Sequence, residues 1–253
     1  MPKTIIEQFP KETRQAAEDG TAILKVAEFF CDTIQGENLS GIPSSFLRLQ
    51  GCTLDCVWCD TLEVWRVGNP YSVNELLQMI EDNGMVERFR NGQHLILTGG
   101  SPLKQEKGLI ALVKGFVNKF GFKPIIEIEN ETVRVPSPEL IDIVDYWNNS
   151  PKLENSGMKE RVRYKPEAIK AVASLPNSYF KFVVVKEEEW KEIEKYFIEP
   201  GLIKKSQIVL MPEGQTREEL QKHYEATVNI AVKENVRMCD RLHVTIWNKQ
   251  TGV

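Results

Sequence analysis

The sequence predicts an α/β fold of parallel βα units, of the barrel type, in a single domain. Three observations lead there. Short apolar runs alternate with longer runs at helical spacing from about residue 22 onward, and parallel strands need such crossovers, which are right-handed. The 253 residues, 42% of them hydrophobic, suffice for one sizeable core. Three loops rich in Cys or Gly each follow a strand pattern, and in parallel folds chemistry collects beyond the carboxyl ends of strands.

Residues 1–20 are polar apart from Ile5-Ile6 and read as an N-terminal extension or short helix outside the core, leaving 21–253 as the domain. Ile23–Phe30 is strand-like, and Ser45–Leu49 is a second strand that runs into a cysteine loop. Ser72 with Glu75 three residues on forms a capping box ahead of Leu76, Leu77, Met79 and Ile80, which predicts a helix. His94–Thr98 is a buried-strand pattern ending in Gly99-Gly100, and residues 105–120 repeat apolar positions at helical spacing. Further strands are predicted at Pro124–Ile128, Ile143–Trp147, Phe180–Val185, Gln207–Met211 and Leu242–Trp247, with helices near 166–174, 187–197 and 216–234. The cysteine loop, Thr98-Gly99-Gly100 and Met211-Pro212-Glu213-Gly214 would then face one mouth.

Composition narrows the function. The net charge is −4 and the pI about 5.6, so no basic excess marks a nucleic-acid surface and a small-molecule substrate is expected. Five cysteines, three of them within eight residues, make a poor disulfide framework. Reduced thiols fit a cytoplasmic protein. No run approaches a membrane span, and Met1-Pro2-Lys3-Thr4 opens no signal-peptide core.

The central motif is Cys52-x3-Cys56-x2-Cys59. Three thiolates on one short loop can hold three irons of a four-iron cluster and leave the fourth open to bind and reduce a small molecule. Structural zinc is the rival, but it wants four ligands, often as two paired knuckles, and Cys239 and His243 lie far along the chain. Trp58, between the second and third cysteines, is placed to shield such a centre or simply to pack in the core. Gly99-Gly100 after a strand lets the backbone approach a ligand closely.

This cysteine spacing resembles the radical S-adenosylmethionine (SAM) superfamily. Within it the chain resembles the 7-carboxy-7-deazaguanine synthase family, on Thr33-Ile34-Gln35-Gly36-Glu37, Phe46–Cys52, Cys59-Asp60-Thr61, Ser150–Leu153 with Asn155-Ser156-Gly157, Leu210–Gly214 with Thr216–Leu220, and Leu242–Lys249 with Gly252-Val253. The resemblance implies a radical SAM core, a partial, open TIM-like barrel. It implies ring contraction of 6-carboxy-5,6,7,8-tetrahydropterin to 7-carboxy-7-deazaguanine with release of ammonia, and as cofactors a [4Fe-4S] cluster, SAM and Mg2+. A homodimer and an external electron donor such as flavodoxin or ferredoxin are expected partners. A glycyl-radical activating enzyme acting on a protein, and a zinc-stabilised binding module, are the alternatives.

The same resemblance assigns residues. Cys52, Cys56 and Cys59 hold the cluster and Thr61 binds magnesium, with Asp60 an alternative by charge and a turn or cap the ordinary role of Thr61. Trp58, Asp60, Gly100, Ser150-Pro151-Lys152 and Met211-Pro212-Glu213-Gly214 lie at the cofactor. Ile34, Gln35, Gly36, Arg48, Thr98 and the terminal Val253 contact substrate, Arg48 through a fork suited to a carboxylate. Glu37 is either a substrate contact or a cap, and Glu127 or Glu129 either meets ribose or forms a structural ion pair. His243 reads as a core histidine. Two departures stand out: Ser101 replaces the glutamate that often follows the glycines, and the Glu129-Asn130-Glu131-Thr132 segment is short.

Overall fold

The computed structural model describes residues 2–9 and 12–250. Its strands are β1 (Lys3–Ile6), β2 (Ile23–Ile34), β3 (Pro43–Leu49), β4 (Asn69–Ser72), β5 (His94–Gly99), β6 (Ile125–Asn130), β7 (Tyr146–Asn149), β8 (Ser178–Val184), β9 (Ile208–Pro212) and β10 (Arg237–Met238). The helices are α1 (Leu62–Arg66), α2 (Val73–Asp82), α3 (Met85–Arg90), α4 (Glu106–Phe120), α5 (Pro138–Ile143), α6 (Glu160–Arg163), α7 (Pro166–Ala173), α8 (Trp190–Ile193), α9 (Arg217–Glu234) and α10 (Leu242–Trp247). One sheet runs β1-β2-β3-β5-β6-β7-β8-β9-β10, with β4 also on β2. From β3 to β10 every pairing is parallel, while β1, β3 and β4 meet β2 antiparallel. β1 and β10 do not pair with each other, so the barrel stays open. No helix among the described residues is long and apolar enough to cross a membrane.

Strand alternation sorts the side chains into two layers. Leu47 and Leu49, Leu95 and Leu97, Ile126 and Ile128, Phe180 and Phe182, and Ile208 and Leu210 enter the main core, together with Leu109, Leu112, Val113 and Phe116 of α4. Their neighbours one position along face the inside of the curved sheet. At its floor Phe30 and Phe46 stack with ring centroids 5.1 Å apart, against buried Ile96.

Several elements differ from the sequence-based expectation. Lys3–Ile6 pairs with β2, and Ile6 is buried in the main core, so this part of residues 1–20 is neither helical nor outside the core. Ile143 ends a helix instead of starting a strand. Ser137 caps α5 by accepting from the Leu140 amide at 3.3 Å, with Pro138 at the first helical position, and β7 is therefore displaced to Tyr146–Asn149. Leu242–Trp247 alternates like a strand but is helix α10. Asp240 at its start accepts from the Arg241 amide at 2.7 Å and the Thr245 hydroxyl at 2.6 Å, and β10 already occupies the outer edge of β9. A carboxylate there favours the helix N-terminus. The capping box of α2 is present as expected, with the Glu75 amide donating to the Ser72 hydroxyl at 3.1 Å.

Candidate active site

The inward positions of successive strands converge on one cleft, which encloses about 1280 Å³ including its open mouth. Arg48 of β3, Thr98 of β5, Glu129 of β6, Lys181 of β8 and Met211 of β9 all line it. The loop after β3 adds Cys52, Cys56, Trp58, Cys59, Asp60 and Thr61; the loop after β5 adds Gly100; the end of β9 adds Pro212; and the loops after β7 and β9 add Ser150, Lys152, Glu213 and Gly214. Ile34, Gln35, Gly36 and Glu37, at the end of β2 and just beyond it, complete that side. Of the expected residues, Pro151 is buried beneath its loop and does not line the cleft. Val253 lies outside the described residues.

The cysteine loop is held from two sides. Gly100 packs so tightly beneath it that a Cβ there would lie 2.5 Å from the Cys52 Cβ and 2.6 Å from the Gly51 carbonyl oxygen. On the other side the Val57 amide donates to the Ser156 carbonyl at 3.0 Å, and the Trp58 indole to Asn155 Oδ1 at 3.2 Å. This gives the Asn155-Ser156-Gly157 stretch its role. Trp58 also packs with Val183, Val209 and Met211, so it covers the loop from the sheet side.

All three cysteines are free thiols, and among the described residues no three His, Cys, Asp or Glu side chains gather closely enough for a single metal ion. Three thiolates on one loop suit a cluster, which takes them on separate irons. The sulfurs also have hydrogen-bond partners of the kind that tune cluster potentials: the Leu54 amide lies 3.3 Å from Cys52 Sγ and the Thr61 hydroxyl 3.8 Å from Cys59 Sγ. Burial pushes the Cys56 thiol up to about 11 although the Lys152 ammonium pulls the other way. A bound cation is then needed to hold it as thiolate. Lys152 is anchored to the Ser150 carbonyl and hydroxyl at 2.8 and 2.7 Å and sits 5.5 Å from the Trp58 ring centroid, and burial lowers its own pKa. It brings the positive charge that three thiolates would offset.

Thr61 stands at the N-cap of α1 but makes no capping bond, so its hydroxyl is available to the cleft. Asp60 pairs with Arg241; burial opposes its ionisation, but the Arg241 and Arg48 guanidiniums hold its carboxyl well below the usual range. Arg241 also donates to the Gly214 carbonyl at 2.5 Å. It thereby ties α10, the cysteine loop and the loop after β9 together. α10 closes against Gly36, where a Cβ would lie 2.6 Å from His243 Nδ1. Burial, reinforced by Arg241, lowers His243 to about 4, so it is neutral near pH 7.

The opposite side carries alternating charges. Arg48 donates through Nε to buried Glu28 at 2.5 Å. Lys181 pairs with Glu37, and Glu129 accepts from the Thr98 hydroxyl at 2.6 Å. Burial works against both carboxylates; the Lys181 cation keeps Glu37 ionised, while Glu129, facing the Glu37 charge, is raised. Glu127 does not line the cleft. It is fully buried and bonded to His94, the Gln35 amide and the Asn148 amide at 2.5, 3.1 and 2.6 Å. The two glutamates thus separate: Glu127 is structural and Glu129 faces the cleft. The Gln35 side chain is committed inward to Glu127.

Sequence reading assigned no role to Glu131, Lys181 or Arg241, which line the cleft, or to Glu28, which lines the pocket beside it. Lys181 carried a signal, the one charge in its strand, whereas Glu28 shares β2 with Lys25 and Asp32. Arg241 carried none, because its position depends on α10 folding back over the mouth.

Comparison with known proteins agrees with this geometry. A family model described as a 4Fe-4S single cluster domain matches residues 35–148. A 7-carboxy-7-deazaguanine synthase of Pyrobaculum aerophilum is 33% identical over 92% of this chain and 98% of its own. One of Halobacterium salinarum is 29% identical over 93% and 95%. The crystal structure of QueE from Escherichia coli superposes with a TM-score of 0.64, covering 87% of this chain and 95% of that one at 21% identity, which shows a shared fold.

Proposed function

The chain belongs to the 7-carboxy-7-deazaguanine synthase family, and from that premise we propose how its own residues perform the family's ring contraction. The protein is a radical SAM lyase of 7-deazapurine biosynthesis with a [4Fe-4S] cluster and SAM as cofactors. Its substrate is 6-carboxy-5,6,7,8-tetrahydropterin and its products are 7-carboxy-7-deazaguanine and ammonia. The observation that carries this reading is the trio Cys52, Cys56 and Cys59 on one loop of a cleft that also presents Arg48. Family membership sets aside the glycyl-radical activating enzyme and the zinc-stabilised module.

When bound, the cluster and SAM supply reductive cleavage of a sulfonium bond, and with it a carbon radical able to take hydrogen from the substrate. The protein's part is binding, orientation and exclusion of water. Cys52, Cys56 and Cys59 hold the cluster, with Lys152 balancing its charge. Trp58 and Met211 cover it, and Gly100, Ser150, Pro212, Glu213 and Gly214 shape the cofactor half of the cleft. Pro151 supports the Ser150–Lys152 loop from beneath. In the substrate half the Arg48 fork receives the carboxylate, Thr98 and Glu129 meet the ring edge, and Ile34, Gln35 and Gly36 form the wall. Thr61 would offer Mg2+ one neutral oxygen, which suits a hard cation; Asp60 is held by Arg241 and serves as a brace. A homodimer, a flavodoxin or ferredoxin as electron donor, and a cytoplasmic location belong to the same proposal.

Anaerobic reconstitution with iron and sulfide followed by assay on 6-carboxytetrahydropterin tests it. Formation of 7-carboxy-7-deazaguanine and ammonia is expected. A protein that takes up no iron–sulfur chromophore, or that takes it up and leaves the pterin unchanged, refutes it.

A further inference from the structure

Glu131 lies just beyond β6, is 5% exposed, and lines the cleft beside Cys52 and Gly100. Its Oε1 accepts from the Ser101 hydroxyl at 2.6 Å and the Thr53 hydroxyl at 2.7 Å. Its Oε2 is buried with no hydrogen-bond partner among the described residues. A carboxylate oxygen removed from water without a donor is destabilising, so it marks a place where a donor is missing. No Arg, Lys or His pairs with Glu131 among the described residues; Lys152 is turned to Ser150. The missing partner must therefore bring a hydrogen-bond donor into the cysteine end of the cleft, and one next to positive charge suits a carboxylate best.

We propose that Glu131, through Oε2, receives the α-amino group of SAM, with Ser101 and Thr53 fixing its carboxylate. The assignment rests on the reading of the cleft as the cluster and SAM site. The sulfonium of SAM has no N–H to donate, whereas the amino group keeps two when its nitrogen is bound to the open iron, and the metal makes them stronger donors. Ser101 explains the departure seen in the sequence. No carboxylate follows the glycines directly, but the Ser101 hydroxyl grips one arriving from the neighbouring strand. Its amide meanwhile bonds the Gly51 carbonyl at 2.9 Å, and its oxygen accepts from the Thr53 amide at 2.9 Å. Ser101 and Glu131 thus act as one unit, in which a second carboxylate at 101 would face Glu131 with like charge.

The test uses the reconstituted protein under anaerobic conditions, with SAM and its analogue lacking the α-amino group as probes. Cluster loading is read from iron and sulfide content, and affinity from equilibrium dialysis. Wild type is expected to prefer SAM over the analogue by about tenfold or more, as a charge-assisted bond predicts. Glu131→Gln should load the cluster fully, bind SAM about tenfold more weakly, and bind the analogue as wild type does, so that the preference falls by about tenfold. The exchanged pair S101E/E131S should regain the preference that Glu131→Ser loses. A Glu131→Gln protein that still discriminates as wild type does overturns the assignment. So does one that loses its cluster together with SAM binding, since Glu131 would then serve only to hold the cysteine loop. If Glu131→Gln does not fold, failure of S101E/E131S to discriminate overturns it equally. Reconstituted wild type that binds no SAM refutes the reading of the cleft itself, a result distinct from these.

Discussion

Replacing Arg48 by Lys separates the substrate half of the cleft from the cofactor half. Arg48 is 14% exposed and its Nε is held by Glu28, itself only 3% exposed. That single bond fixes the guanidinium and leaves its two terminal nitrogens for the cleft; burial opposes the charge, but Glu28 above all, with Glu129 and Asp60, holds the cation. Arg48→Ala is the wrong probe: it would leave Glu28 with the Gln8 amide alone, and breaking a buried pair costs about 3–5 kcal/mol, so lost binding and lost stability would mix. Lys retains the charge, but it is a point donor that reaches Glu28 or the substrate carboxylate and does not bridge both. One charge-assisted hydrogen bond is worth about 1.5–3 kcal/mol, or roughly 10- to 150-fold in Kd. Arg48→Lys should therefore weaken 6-carboxytetrahydropterin by about that factor and leave SAM affinity within about twofold. Anaerobic equilibrium dialysis with each ligand measures both. Equal losses for the two ligands, or no loss for the pterin, would refute the carboxylate contact.

Cys56→Ala should retain the circular dichroism of the parent while losing the iron–sulfur chromophore and all deazaguanine formation; turnover above background would contradict the ligand role. Gly100→Ala forces a methyl group onto the Cys52 Cβ and the Gly51 backbone, neither of which is a flexible chain end. A strain of about 1–3 kcal/mol should displace the cysteine loop, and iron content after reconstitution should fall with it; normal loading and activity would show that the loop adjusts freely. His243 titrates near 4 when folded, against about 6.5 unfolded, so the unfolded chain takes the proton first as pH falls. Its contribution to stability is complete above about pH 6.5 and is lost as pH drops toward 4. Between pH 7 and 5 the loss should approach about 2 kcal/mol. Urea midpoints at the two pH values should draw together in His243→Gln, and an unchanged difference would count against the assignment.

The fold and the cysteine half of the site were legible because their signals are local. The x3/x2 spacing, the Gly-Gly after β5 and the capping box at Ser72 each act over a few residues. Arg48, Thr98 and Met211 were placed toward the mouth because each stands at or near the carboxyl end of a predicted strand. Where local signals conflicted, the reading failed. Leu242–Trp247 alternates like a strand, yet it folds as a helix whose Thr245 hydroxyl bonds Asp240; Ile143 looks like a strand residue, yet Ser137-Pro138 begins a helix that includes it. Lys181, the one charge in its strand, was visible but had no partner in sequence to give it meaning.

The sequence alone pointed to three candidate cluster thiols, the parallel βα order and the loops that line the cleft, because thiol spacing and strand period are properties of neighbouring residues. Only the tertiary structure decided which carboxylate belongs to which task. Glu127 and Glu129 have the same alternation and differ only in what lies across from them, His94 and Asn148 for one, Thr98 and the open cleft for the other. Glu131 and Arg241 acquire their places from segments 30 and 181 residues away, Ser101 and Asp60. A charge becomes a ligand contact or a brace according to its partners and its distance from water, and in this chain those partners are brought together by folding.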